Sequence, residues 1–363
     1  MFKMSSLIIE VCKVDNIVKH PNADKLSIVT IKGWQCIVGL EQYNVGDLVV
    51  YCPPDSIIPE NLIEKYGLTY LKNGGRVGTA KLRKYLSEGL ILDVPEGKYK
   101  KGDNVAEVLG ITKWMPPEPS FNKQANPVSK KKLNPNFDKY SEIENIKNYN
   151  GVFKDGDFVV ITEKIHGSNS RFGTLPIVID KSQPLRYRLK KMFEKHILRK
   201  SHEWIYGSHN VQLHGDKSNN YYGEDLWGKV ADKYSLKTVI PNDYIVYGEV
   251  FGKGVQDLTY GLDNIDLVIF DIKYKGEYLP WESVKHLCEM WGLKLVPELF
   301  VGHWNEELLK EHTDGKSIIC PTQIREGCVI KMADESKDMR IGRKILKSVS
   351  FNYLTRKNGT EFK

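Results

Sequence analysis

A lysine at the end of an apolar run is where this chain could do chemistry. Phe158-Val159-Val160-Ile161 leads into Thr162-Glu163-Lys164, and Ile165-His166-Gly167-Ser168-Asn169 follows. Lysine belongs on solvated faces. One delivered by a buried strand to a glycine-kinked polar turn can lose hydration, and a desolvated amine becomes a nucleophile. If such an amine attacks a nucleotide phosphate, it needs carboxylates to hold a divalent metal, an aromatic face for the base and cations for the phosphates. Candidates for each stand at strand ends further on. Glu249 is the single acid in Ile245-Val246-Tyr247-Gly248-Glu249-Val250-Phe251-Gly252, where an unpaired carboxylate is costly, and it shares the parity of Ile245 and Tyr247. Phe270-Asp271 ends the run from Leu267, and Phe270 could stack on a purine. Glu326-Gly327 opens Cys328-Val329-Ile330-Lys331, with Gly327 permitting close backbone approach. Lys344 and Lys347 place cations on a last short strand.

Strands must carry these residues, and the patterning supplies them from residue 151 onward. Before them, Leu7–Val11, Leu26–Ile31, Trp34–Val38, Asp47–Cys52 and Gly89–Val94 read as short strands punctuated by Gly33, Asn44 and Gly46. That spacing suggests a small closed barrel of the OB type over residues 1–115. The stretch His20-Pro21-Asn22-Ala23-Asp24-Lys25-Leu26 resembles the opening of OB-type tRNA-binding modules. Arg76, Lys81, Arg83 and Lys84, with Tyr85, form a basic loop suited to a phosphate backbone. Residues 116–150, rich in proline and including Lys130-Lys131-Lys132, read as an extended linker with a short helix near Ser141. Between Lys181 and Lys200 lie eight Lys/Arg and one acid, with Leu185, Leu189, Met192, Phe193 and Ile197 at helical spacing. This predicts a basic amphipathic helix with Pro184 at its first position, whose cations could grip RNA.

The 363 residues carry a net charge of +7 and 41% hydrophobic residues, an ordinary globular composition with a mild bias toward polyanions. The six cysteines form no CxxC pair, so zinc sites and disulfide frameworks are not expected. No run approaches a membrane span. An intracellular, soluble, monomeric protein without membrane partners is expected.

The order Lys164, Glu249, Phe270-Asp271, Glu326-Gly327, Lys347 resembles the covalent nucleotidyltransferase superfamily of ATP-dependent ligases and mRNA-capping enzymes. Glu163-Lys164-Ile165-His166-Gly167-Ser168-Asn169 is similar to the Glu-Lys-Ile-His-Gly-Thr-Asn of the RNA ligase 2 family, where DNA ligases and capping enzymes read Lys-x-Asp-Gly. An OB domain placed first matches the RNA ligase 5 class. The resemblance implies an α+β chain: an N-terminal OB-like barrel, then a nucleotidyltransferase domain of ATP-grasp-like antiparallel sheets with helices over residues 151–363. It implies an ATP-dependent RNA ligase with RNA as partner and Mg²⁺ or Mn²⁺ as metal. In that reading Lys164 takes AMP, and Glu249 and Glu326 hold the metal. Glu163, Ser208, Asn210, Phe270, Lys344 and Lys347 contact the nucleotide, Phe270 by stacking and Lys347 at the α-phosphate. His166 and Asn169 serve the RNA-end steps. Two positions depart from the pattern. His209 replaces the common arginine between Ser208 and Asn210, and Lys-x-Lys is incomplete around Lys347. A DNA ligase or guanylyltransferase, and a non-catalytic RNA-binding protein, are the alternatives.

Overall fold

The computed structural model describes residues 7–71, 74–114, 134–213 and 225–356. The chain divides into two compact units, one over residues 1–118 and one over Pro119–Asn358.

The first unit is built from short antiparallel strands. Asn16–Lys19, Leu26–Ile31 and Trp34–Gly39 form one sheet, and Glu10–Lys13, Leu48–Cys52 and Leu90–Asp93 another. Leu48–Cys52 reads as an unbroken apolar run because both its faces are covered. Val49 and Tyr51 pack with Val29, Trp34 and Cys36, while Val50 and Cys52 pack with Ile9, Val11 and Leu92. The basic loop of the sequence reading is partly a hairpin, Thr79–Leu82 against Tyr85–Glu88, turning on Arg83 and Lys84 with φ of 47° and 79°. No Asn-Gly signals this turn, so the sequence concealed it. Lys81, Arg83 and Lys84 are exposed on it. Arg76 is not available in the same way: it pairs with Asp55 and stacks 3.4 Å over Trp114.

The second unit sets two antiparallel sheets around the candidate lysine. The strands that matter are β1 (Phe158–Glu163), β2 (Ser168–Pro176), β3 (His202–Ser208), β4 (Tyr244–Gly252), β5 (Ile265–Tyr274), β6 (Glu298–His303), β7 (Gly327–Met332) and β8 (Ile345–Val349). One sheet runs β8-β7-β1-β6, with the short Glu144–Asn145 pairing parallel to β8 at its edge. The other runs β3-β2-β4-β5, with short edge strands at Gln212–Leu213 and Glu277–Tyr278. Helices α2 (Leu226–Lys233) and α3 (Trp281–Trp291) bury Trp227, Val230, Trp281 and Val284 in the cluster that holds Val246, Val250 and Ile272. The alternate residues Ile245 and Tyr247 join Phe137, Tyr140 and Ile345 in a separate cluster, as the period of two requires.

Two expectations change here. Residues 134–149 are not linker: Asn134, Phe137, Tyr140 and Ile146 are buried against the second unit. The helix expected near Ser141 is instead the edge strand Glu144–Asn145 and a 3-10 turn at Ile146–Asn148. Lys130, Lys131 and Lys132 lie outside the described residues. The basic helix exists as α1 (Leu185–His196), with Pro184 at the cap position rather than the first turn. Its exposed surface carries apolar residues as well as the cations Arg186, Lys190 and Lys195. Leu185, Leu189, Met192 and Phe193 are exposed, while Tyr187 and Lys191 face the protein. The cause is Glu203 on β3, a buried acid that accepts from Tyr187 Oη at 2.6 Å and pairs with Lys191 Nζ at 2.8 Å.

Among the described residues no helix is long and apolar enough to cross a membrane.

Candidate active site

Lys164 leaves the end of β1 into a cavity of about 280 Å³ between the two sheets. β1, β7 and β8 contribute Thr162, Val329, Lys331, Ile345 and Lys347 to one wall. β2, β4 and β5 contribute Asn169, Glu249 and Phe270 to the other, with His209 just beyond β3. Thr162, Glu163 and Lys164 all border the cavity, but the Glu163 carboxylate is engaged by the protein, accepting from the Ile318 backbone N–H at 2.7 Å. Burial raises the Glu163 carboxyl.

Gly167 explains the kink after the lysine. A Cβ there would lie 2.3 Å from the Val250 carbonyl oxygen and 2.9 Å from Glu249 Cγ, so only glycine lets the turn close onto β4. Gly327 does the same beneath Glu326: at φ +152°, a Cβ would meet the Ser348 carbonyl oxygen at 2.1 Å.

The electrostatics centre on two acids and one ammonium. Lys164 Nζ donates to Glu326 Oε1 at 2.6 Å. Burial works against the Glu326 charge, yet the Lys164 ammonium and the nearby His166 ring hold its carboxyl below the usual range. Glu326 Oε2 is buried with no hydrogen-bond partner within 3.5 Å among the described residues, the His166 Nδ1 standing at 3.7 Å. Glu249 behaves oppositely. Burial pushes its carboxyl up to about 8, with Lys164 partly offsetting and the Glu326 charge adding. A carboxylate pins the amine, so nucleophilic attack requires that Glu326 be drawn away.

The remaining sequence candidates separate. Phe270 lines the cavity and meets Tyr140 edge-to-face with centroids 4.8 Å apart. Asn169 lines it, its buried Oδ1 without a hydrogen-bond partner among the described residues. Lys347 lines it too. His166 lies outside the cavity lining and meets Glu326 from behind. Lys344 is elsewhere, paired with Asp157. Ser208 accepts from the Val211 N–H at 3.2 Å, and Asn210 is exposed and accepts from Lys139 at 2.7 Å, so both support the turn that presents His209. Burial, with Lys139 and Arg171 nearby, lowers the His209 imidazole. The residue that departs from the family pattern is thus the one this turn offers to the cavity.

The folded chain resembles known RNA ligases. A family model described as RNA ligase matches residues 157–349, more than half of the chain. The chain belongs to the RNA ligase family. An OB-fold domain model matches residues 8–94. Among solved structures, a Naegleria gruberi RNA ligase variant with AMP and Mn aligns at 23% identity and TM-score 0.68, covering 96% of this chain and 98% of that one. The same enzyme with PPi aligns at 23% identity and TM-score 0.68, covering 97% and 98%. No curated protein gives a significant match.

Sequence reasoning about this RNA ligase missed Tyr140 to Ile143, which line the cavity from a segment read as linker. Tyr140 was legible as an aromatic, but nothing local tied it to β5. It also passed over Lys331, which lines the cavity at 3% exposure and pairs with Asp271 at 2.9 Å. A lysine two residues beyond an inward Val329 was the available signal.

Proposed function

We propose that this chain is an ATP-dependent RNA ligase that joins a 3′-hydroxyl to a 5′-phosphate through AMP carried on Lys164. The observation that carries the reading is the shared cavity: Lys164, Glu249, the Phe270 ring and Lys347 line one space from four different strands or strand ends, and Glu326 pairs with the Lys164 amine from outside that lining. A lysine serving only as a surface charge would not converge with an aromatic, a second cation and a carboxylate pushed up to about 8.

In this reading adenine stacks on Phe270, and Lys331 and Lys347 face the phosphates. Lys164 Nζ, having given up its proton, forms a P–N bond to the α-phosphorus as the bond to pyrophosphate breaks. The 5′-phosphate of RNA then takes the AMP, restoring the amine. The 3′-hydroxyl attacks that activated end, forming the phosphodiester and releasing AMP. The Naegleria enzyme has been captured with ATP and Mn, which supports the same ligands here. The donor set fits a hard cation: Glu326 offers an orphaned buried carboxylate oxygen, and Glu249 an acid that ionises readily once a cation is near. No cluster of three His, Cys, Asp or Glu side chains exists among the described residues, so Glu249 and Glu326 would hold the cation together with phosphate and water. When bound, the cation neutralises phosphate charge; it would also compete with Lys164 for Glu326, freeing the amine.

Duplex RNA with a nick is the proposed substrate, with the exposed Lys81, Arg83 and Lys84 of the OB unit contacting backbone phosphates. The test is covalent labelling with α-labelled ATP, followed by sealing of nicks with RNA or DNA on each side. Wild type takes label and seals with RNA flanking the 3′-hydroxyl. Lys164→Ala takes none; label persisting on that variant refutes the site. GTP labelling in place of ATP would instead favour a guanylyltransferase.

A further inference from the structure

His166 is held by side chains that lie outside the nucleotide cavity. Its Nε2 is 2.7 Å from Asp257 Oδ1, its Nδ1 is 2.8 Å from Tyr353 Oη, and its backbone N–H donates to Tyr260 Oη at 2.6 Å. Asp257 is gripped in turn by Arg356, whose Nε donates to Oδ2 at 2.9 Å and Nη2 to Oδ1 at 3.1 Å. The Arg356 guanidinium stacks 3.7 Å from the Tyr353 ring centre. Tyr353 and Arg356 come from α4 (Phe351–Thr355) and the residue after it, and the Tyr353 N–H is capped by Ser350 Oγ at 3.2 Å.

This geometry fixes the imidazole. A carboxylate only accepts, so the nitrogen facing Asp257 carries the hydrogen; in the neutral ring Nδ1 then accepts from the Tyr353 hydroxyl. With 8% of His166 exposed, the ring has no room to choose otherwise. Arg356 donates only, so it commits both Asp257 oxygens to accepting. We propose that Asp257, backed by Arg356 and Tyr353, is the positioning residue of His166: it sets the Nε2–H tautomer and ring orientation required by the two RNA-end steps and not by lysine adenylylation. The step assignment rests on the ligase reading above. It follows from placement: none of the three touches the cavity that holds Lys164, Phe270 and Lys347, whereas all three act on the turn between Lys164 and Asn169.

The decisive variant is Asp257→Asn in the full chain. Arg356 will claim the asparagine carbonyl, leaving the amide N–H₂ facing Nε2 and forcing the ring into the Nδ1–H tautomer. Lysine labelling by ATP, AMP transfer to 5′-phosphorylated RNA and sealing of pre-adenylylated RNA are measured separately. Transfer and sealing should each slow by at least about tenfold more than labelling. The ¹⁵N imidazole spectrum, at one fixed pH, should lose the Nε2–H signal of wild type. Adding Arg356→Leu frees the asparagine to turn its carbonyl toward Nε2, and should recover part of the lost transfer; a merely structural role predicts a worse double variant. Equal losses in all three steps, or an unchanged Nε2–H signal in Asp257→Asn, overturn the proposal. If the double variant fails to fold, the spectrum of the single variant still decides. Wild type that takes no label would overturn the ligase reading instead, and the imidazole spectrum would still report on positioning.

Discussion

Glu249 is the group whose replacement should reveal how the resting site is balanced. Its carboxyl is pushed up to about 8, against 4.5 ordinarily, by burial and by the Glu326 charge. The folded state therefore binds a proton that the unfolded chain releases between those values. Stability must then fall as pH rises through that window, since the slope follows the protons bound in the unfolded state minus those bound in the native state. One such group gives about 1.4 kcal/mol per pH unit, or roughly 3–5 °C per unit for a domain of this size. Between pH 5 and pH 7 the accumulated loss has a ceiling of about 3 kcal/mol, which water penetration around a half-buried carboxyl will reduce. Glutamine mimics the protonated acid, so Glu249→Gln should match wild type near pH 5 and exceed it increasingly toward pH 8.

The assay is thermal or urea unfolding with chelator present, wild type against variant, at several pH values. The difference between the two curves isolates Glu249 from every other titrating group. Excess Mn²⁺ should shrink that difference, because a cation restores the value of the ionised form. Parallel pH dependences for the two proteins would refute the argument and mean that Glu249 is already ionised at rest.

Four further outcomes follow from the positions of named residues. Gly327→Ala must move a Cβ away from the Ser348 carbonyl oxygen at 2.1 Å while holding φ at +152°, and should cost about 3 kcal/mol or more in unfolding free energy. Asp271→Asn strips charge from a buried centre shared by Lys331 at 2.9 Å, Arg343 at 2.6 Å and the Tyr140 hydroxyl at 2.6 Å; it should destabilise by roughly 3–5 kcal/mol, and lysine labelling measured well below the new Tm tells whether Phe270 and Lys331 have also moved. On α1, Lys191→Glu faces Glu194 and Glu203 and should unfold the helix from the body. Lys190→Glu with Lys195→Glu lies on the exposed surface and should leave stability within about 0.5 kcal/mol while weakening RNA binding and flattening its salt slope by roughly one unit per lysine. An unchanged slope removes α1 from the RNA surface.

What the sequence made legible was set by how local its cause is. The strands that carry Lys164, Glu249, Phe270 and Glu326 announced themselves because each alternates or runs apolar over several residues, with an acid or a lysine set in or beside the run. The glycine after His166 was legible for the same reason, although its purpose, the 2.3 Å approach to Val250, was not. What stayed hidden depends on a distant partner. Tyr140 belongs to the site only because Asp271 accepts its hydroxyl across 131 residues. Which residues of α1 face the body was likewise hidden, because the buried acid Glu203 on β3 draws Tyr187 and Lys191 inward. Lys344 and Lys347 could be told apart by parity, since a spacing of three on a strand sends them to opposite sides.

The same distinction bears on how the site works. Local pattern delivered groups that border the cavity, and two of them are restrained: Lys164 is pinned by Glu326 at 2.6 Å, and Glu249 holds a proton. Neither restraint could be read from residue types, because each arises from two strands brought face to face. Both are relieved by the same event. A cation near Glu249 and Glu326 favours ionisation of the first and competes with the ammonium for the second, so metal binding, proton release and liberation of the amine are thermodynamically linked. The apparent cation affinity should therefore rise with pH up to about 8 in wild type and lose that dependence in Glu249→Gln.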